Sequence, residues 1–182
     1  MKLDDILLTS NINENEEIVK NFVNALNERK FDKAADFVHD EFEFMDEWFE
    51  YIEFYKNIAP DPLKINNSKV GWINRHRYNA KSLKGLRRII LKIMSHDNDV
   101  WIWSKRRGIH SSDFDGFPAT NRELDLNSFV MYEIKNKLIY RAFNMDDDLR
   151  GFVQIGKVIL EENDKIKIDQ YMSKLRQIGL VK

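Results

Sequence analysis

The sequence predicts an α+β domain in which helices come first and a curved antiparallel sheet follows. Three observations predict it. Apolar residues at helical spacing, Ile18, Val19, Phe22, Val23 and Leu26, gather near the start. Four long segments of strand character come later, at 86–94, 100–107, 124–134 and 138–143, in two pairs joined by short polar turns. Helical patterning returns only from about Asp147. Helices ahead of long hairpins belong on one face of a bent sheet. Such a sheet makes a cone whose concave side must be filled by side chains or by a ligand.

Taken in order, residues 1–12 read as a loose arm. Asn13 and Glu16 form a capping box for a helix that runs to about Asn27. A second helix is expected from Asp32 to about His39, burying Ala34, Ala35, Phe37 and Val38. Glu41 to Met45 alternates as a short strand, and the aromatic-rich stretch from Asp46 to Ile58 reads as helix, stopped by Pro60 and Pro62. Residues 60–82, with Gly71, Trp72 and the basic cluster Arg75, His76 and Arg77, read as an irregular segment or lid. The hairpins turn at His96–Asp99 and Lys135–Lys137, and a last helix is expected from Asp164 to Ile178.

The 182 residues fit one domain, 1–182, with no linker. No cysteine is present, which excludes disulfides, thiolate metal sites and thiol catalysis. Lys plus Arg is 29 against 30 Asp plus Glu, so charge gives no reason to bind nucleic acid. No apolar run approaches ~18 residues and the start lacks a signal-peptide pattern, so neither membrane insertion nor export is expected, and the cytoplasm is the expected compartment. The four histidines, at 39, 76, 96 and 110, lack metal-ligand spacing, and no phosphate loop, nucleophile elbow or dinucleotide fingerprint occurs.

Residues 108–123 read GIHSSDFDGFPATNRE. A strand, the turn KNKL at 135–138, the run FNMDDD at 143–148 and then Gln154-Ile155-Gly156 follow. The order and spacing resemble the SnoaL-like polyketide cyclase family of the nuclear transport factor 2-like superfamily. Its pattern runs G-T-H-x-G-x-F-x-G-x-P-P-T-G, a strand, D-G-K-I, W-x-x-x-D and Q-L-G. The likeness spans about 14–156, is specific over 108–156, and leaves 157–182 as a helical extension. Ser112 and Asn121 stand where the pattern has glycine, Phe143 where it has tryptophan, and Trp103 where arginine is common.

The resemblance implies the cone-shaped fold, a homodimer, no cofactor and acid/base chemistry on a small apolar carbonyl compound. Asp147 falls on the aspartate of W-x-x-x-D and is the implied acid/base. His110 and Asn144 are its candidate assistants at the substrate oxygen. The abundant aromatics suggest an apolar lining from Phe44, Trp48, Trp72, Trp103, Phe129, Tyr140, Phe143 and Met145. From the residues alone, Asp147 reads equally as a helix cap, with Asp146 and Asp148 beside it, and His110 as a strand-end residue bonded to backbone. Trp101, Trp103, Lys105 and Arg107 share one strand face; Val100, Ile102, Ser104 and Arg106 share the other. Which face turns inward is left open; an exposed pair of tryptophans would mark a dimer surface. Three functions stay in play: an aldol-type cyclase of natural-product biosynthesis, another acid/base enzyme such as an isomerase, dehydratase or epoxide hydrolase, and a non-catalytic binding or assembly protein.

Overall fold

The computed structural model describes residues 14–44, 68–114, 116–159 and 161–177. Its elements are α1 (Glu14–Asn27), α2 (Phe31–Ala35), β1 (Val38–Phe44), α3 (Lys69–Ser82), β2 (Leu83–His96), β3 (Asp99–His110), β4 (Glu123–Lys135), β5 (Leu138–Asp146), α4 (Asp148–Ile155) and α5 (Glu162–Gln177). Among these residues one sheet of order β1-β5-β4-β3-β2 carries the helices. Four strands form the expected antiparallel meander, and β1 joins its edge parallel to β5, so the sheet is mixed and unclosed. Register shifts in the β1–β5, β2–β3 and β4–β5 pairs supply the bulges that bend such a sheet.

The turns follow from their residues. Asn136 and Lys137 both take positive φ, 54° and 62°, the two-residue geometry that matches strand twist. Asn121, where the family pattern has glycine, keeps φ at 55°, a conformation that asparagine tolerates better than most residues. Gly108 lies inside β3, where a Cβ would come within 3.2 Å of the Leu86 backbone.

Two expected elements differ. α2 ends at Ala35, and Val38 and His39 already belong to β1, because hydrogen bonding to β5 claims the segment: Ile139 N–H donates to the Phe37 carbonyl at 2.8 Å. Residues 69–82, expected to be irregular, form the regular helix α3, capped by Ser68, whose Oγ accepts from Gly71 N–H at 3.2 Å. Apolar periodicity missed α3 because its buried face is largely polar: beside Trp72 and Ile73 it carries Asn79 and Ser82. The expected helix at 46–58 lies outside the described residues. α5 lies where the C-terminal helix was expected, with Ile178 outside the described residues.

The inner face of the sheet meets α1 and α3. Val19, Phe22 and Val23 of α1 pack with Val100, Ile102, Val130, Tyr132, Ile139 and Ala142 of the strands. Trp72 of α3 lies between Phe22 (centroids 4.9 Å apart) and Phe42 (4.3 Å), both nearly parallel to it. A second cluster, Leu83, Leu124, Leu126 and Ile155, closes the other end under α4. Replacing Trp72 with Ala removes the ring that joins α3 to α1 and β1. It should cost about 3–5 kcal/mol, the scale for a buried Trp, whereas Trp103→Ala on the outer face should cost under about 1 kcal/mol. Urea denaturation of the two variants beside the parent checks the contrast.

Candidate functional site

Between the two apolar clusters the inner face turns polar. Along β4 the buried row reads Leu124, Leu126, Ser128, Val130, Tyr132 and Ile134. Along β3 it reads Val100, Ile102 and Ser104, with Arg106 next on the same face. Ser104 and Ser128 face each other in register, and Ser104 Oγ donates to the Ser128 carbonyl at 3.3 Å. Opposite Ser128 stands Asp146 of β5. Its side chain is 5% exposed and is ion-paired with Arg106, itself 14% exposed. Ser128 Oγ donates to Asn144 Oδ1 at 3.2 Å and accepts from Arg88 at 3.2 Å.

Helices deliver the remaining groups. Asn27 at the end of α1 grips the edge strand β2 from both sides of one residue: its Nδ2 donates to the Arg88 carbonyl at 2.9 Å and its Oδ1 accepts from Arg88 N–H at 2.8 Å. This clamp places Arg88 under α1. His76 of α3 packs edge-on against Phe22 and Trp72. Its Nε2 is closed off from solvent and has no hydrogen-bond partner among the described residues, as is also true of Asp146 Oδ1, Asn79 Oδ1 and His110 Nε2. A cleft opens here with a volume of about 30 Å³, walled by Leu26, Phe31 and Leu86. Arg29, Arg87, Arg88 and Arg106 line it together with Asn27 and His76.

The electrostatics follow from crowding. Burial alone would push the Asp146 carboxyl up, but Arg106 and Arg88, with bonds from Ser128 and Asn144, outweigh it and hold the group down at about 2. His76 is pushed down to about 3 by burial first and then by Arg88, Arg106 and Arg75. At neutral pH the site therefore holds an ionised Asp146, a neutral His76 and cationic arginines.

The expected site residues fall differently. Asp147 is exposed; it occupies the N-cap position of α4 without a side-chain cap bond, and its N–H donates to the Asn127 carbonyl at 3.1 Å. The inward carboxylate is Asp146, because strand alternation turns Asn144 and Asp146 in and Phe143 and Met145 out, and a shift of one residue reverses the face. Asn144 does reach the site, through Ser128. His110 is buried in the other cluster, stacked on Phe117 (centroids 5.7 Å apart) with Nδ1 3.1 Å from Thr120 Oγ1. It lies four residues beyond Arg106, about 13 Å along β3 at ~3.3 Å per residue, so β3 holds it apart from Asp146.

Of the apolar lining, Trp103, Phe129 and Met145 lie on the outer face, 45%, 36% and 61% exposed. Phe143 shares their side by alternation. Tyr140 sits edge-on to His39 with Lys135 Nζ 4.2 Å above its ring, on the β1 side of the sheet. Trp72 and Phe44 are inside, but as core packing. Trp48 lies outside the described residues. Arg88, Arg106, His76 and Asp146 were missed as a site. The signal for them was the pair of small hydroxyl residues, Ser104 and Ser128, interrupting otherwise apolar inward rows.

The histidine sets a pH dependence. Folded His76 stays neutral until about pH 3, while an unfolded histidine takes up its proton near 6.5. Between those values the unfolded chain binds more protons, so falling pH favours unfolding. From pH 7.5 to 5 this group should remove about 2 kcal/mol of stability; the depressed Asp146 adds its own loss only below the ordinary aspartate range. Urea midpoints at both pH values should show His76→Phe losing much less than the parent, and an equal loss in both would exclude His76 as the source.

No protein-family model matches the chain, and no curated protein matches it. Solved structures do. IdmH, described as a candidate polyketide cyclase from Streptomyces antibioticus, matches with a TM-score of 0.62 at 14% identity, over 79% of this chain and 99% of its own. A candidate SnoaL-like polyketide cyclase from Jannaschia sp. CCS1 matches at 0.65 and 12% identity, over 83% and 98%. AclR from Streptomyces galilaeus, described as a candidate hydroxylase, matches at 0.65 and 13% identity, over 80% and 98%. Likeness at this identity carries architecture and leaves chemistry to the site: the chain has the α+β fold of the SnoaL-like polyketide cyclases.

Proposed function

We propose that the chain is an acid/base enzyme that promotes ring closure of a small carbonyl compound, with Asp146 as proton acceptor and Arg88 and Arg106 at the substrate oxygen. The observation that carries this reading is the charged cluster set into the covered face of the sheet, where apolar packing would serve stability as well or better. The Asp146 carboxylate takes a proton from the carbon beside a carbonyl. The resulting enolate carbon attacks a second carbonyl of the same molecule, a C–C bond forms, and the new alkoxide takes the proton back from Asp146. A carboxylate held near 2 is a weak base. Most of the rate gain must therefore come from the guanidiniums, fixed in advance where negative charge develops on oxygen. The chemistry calls on no cofactor, and neutral His76 supplies a further polar group in the same cleft.

A second reading has its own support. The Phe22–Trp72–Phe42 stack fills the space between α1, α3 and β1, and a binding or assembly protein would be filled in this way. Proton exchange separates the two. Aryl methyl ketones in D₂O, followed by NMR, should lose α-protons faster with the parent than with buffer. Asp146→Asn should slow this by about 100-fold, and Asp147→Asn should not. No acceleration by the parent, or full activity in Asp146→Asn, would favour the binding reading.

The outer face supports a homodimer. Met94, Trp103, Phe129 and Met145 form an apolar patch there, and Lys92 and Asp147 line the same hollow. A patch with both charge signs is self-complementary under two-fold symmetry. Light scattering should give twice the chain mass for the parent and one chain mass for Trp103→Glu; a monomeric parent at high micromolar concentration would count against the dimer.

A further inference from the structure

We propose that the arginine-lined cleft takes a carboxylate, so that the substrate is a carbonyl compound carrying an acid group rather than a neutral ketone. The inference rests on reading the Arg106–Asp146 cluster as the substrate site, and it adds the class of molecule that enters. Four arginines line the cleft. Of these four, only Arg106 has a carboxylate partner among the described residues, Asp146, while Arg88 bonds the Ser128 hydroxyl and Arg29 and Arg87 have no described carboxylate against them. Asp146 does not line the cleft but pairs with Arg106, which does; among the described residues this leaves the charge of Arg88 without a carboxylate, because His76 is neutral there. A single carboxylate balances that charge. Its two oxygens suit the forked donors of a guanidinium better than a point-charge anion would.

The surroundings agree. Arg29 sits at the turn after α1 with φ at 63°. Burial, and then the charge of Arg87, lowers its guanidinium from the ordinary range, so the cations are crowded rather than dispersed into water. His76 Nε2 is shut from solvent without a partner, and His76 lines the same cleft. A volume of about 30 Å³ exceeds the ~10–15 Å³ that one water requires. It accommodates a carboxylate group at the base while leaving an attached ring at the mouth, over Leu26, Phe31 and Leu86.

Calorimetry on the full chain at low salt tests this with 4-acetylbenzoate, its uncharged analogue 4-acetylbenzamide and inorganic phosphate. The acid should bind roughly 10-fold or more tightly than the amide, as a charge-assisted contact requires, and more tightly than phosphate. Arg88→Gln should weaken the acid by a similar factor. The rim double variant Arg29→Gln/Arg87→Gln, outside the buried ion pair, should weaken it by roughly 3-fold or more through lost field, and it keeps the test open if Arg88→Gln fails to fold. Asp146→Asn should bind the acid at least as tightly as the parent, since it removes a negative charge. Binding of the acid therefore stands or falls separately from proton exchange. Equal affinity for acid and amide, phosphate binding as tight as the acid, or an unchanged affinity in the rim variant would each overturn the carboxylate assignment.

Discussion

Burying the Asp146–Arg106 pair is the constraint around which the rest of the inner face is arranged. Taking a carboxylate and a guanidinium out of water costs several kcal/mol per ion after relaxation. Their mutual attraction repays it only when the remaining lone pairs and N–H groups find partners. The strands surround the pair with small polar side chains, Ser128 and Asn144 beside Asp146 and Ser104 in register with Ser128, yet Asp146 Oδ1 is left without a hydrogen-bond partner among the described residues. Larger residues at these inward positions would fill the space that the two long side chains need. Arg88 adds a second positive charge to the same spot, and it is placed by the backbone grip of Asn27.

The covering helices are fitted to that polar band. α1 covers the fully apolar end with Val19, Phe22 and Val23. α3 spans the boundary: Trp72 and Ile73 pack into the aromatic end, while His76 and Asn79 come one and two turns later and bring buried polar atoms with no hydrogen-bond partner among the described residues. Unpaired buried groups cost free energy. Several of them on one helix face, above a row of charged and hydroxyl side chains, mark a place where the fold has given up stability for polarity. Such a place is where substrate chemistry is expected. The cluster around His110 also buries a histidine whose Nε2 has no partner among the described residues, but its Nδ1 lies beside Thr120 and its ring stacks on Phe117 among leucines, with no ionised side chain in the cluster. It joins the β3 end to the loop before β4.

Outer and inner faces divide the labour of the sheet. The inward rows carry the core and the charged band; the outward rows carry Trp103, Phe129 and Met145. Trp103, counted as pocket lining, thus belongs to the surface that remains after folding, whereas Trp72 belongs to the core. Among the described residues the aromatics gather in the Phe22–Trp72–Phe42 stack, at the His110 end and in the outer patch. Among the described residues, no helix is long and apolar enough to cross a membrane.

The sequence by itself determined the first helix, both hairpins and the α+β class, because alternation, helical spacing and turn chemistry are local properties carried by neighbouring residues. The motif from His110 to Gly156 also led to the right architecture, including the left-handed position that Asn121 takes over from glycine. It did not lead to the buried charged cluster. Sidedness within β3 and β5 depends on which row the helices cover, and a strand pattern is the same read from either face. Hence Asp147 was favoured over Asp146, one residue away and on the other side of the backbone. α3 escaped notice for a related reason, since a helix that buries histidine, asparagine and serine lacks the apolar stripe by which helices are recognised. β2, β3 and β5, distant in sequence, each place one charged group at the same depth of the sheet. Only tertiary pairing could decide that Arg88, Arg106 and Asp146 meet, because no local pattern carries the register between strands.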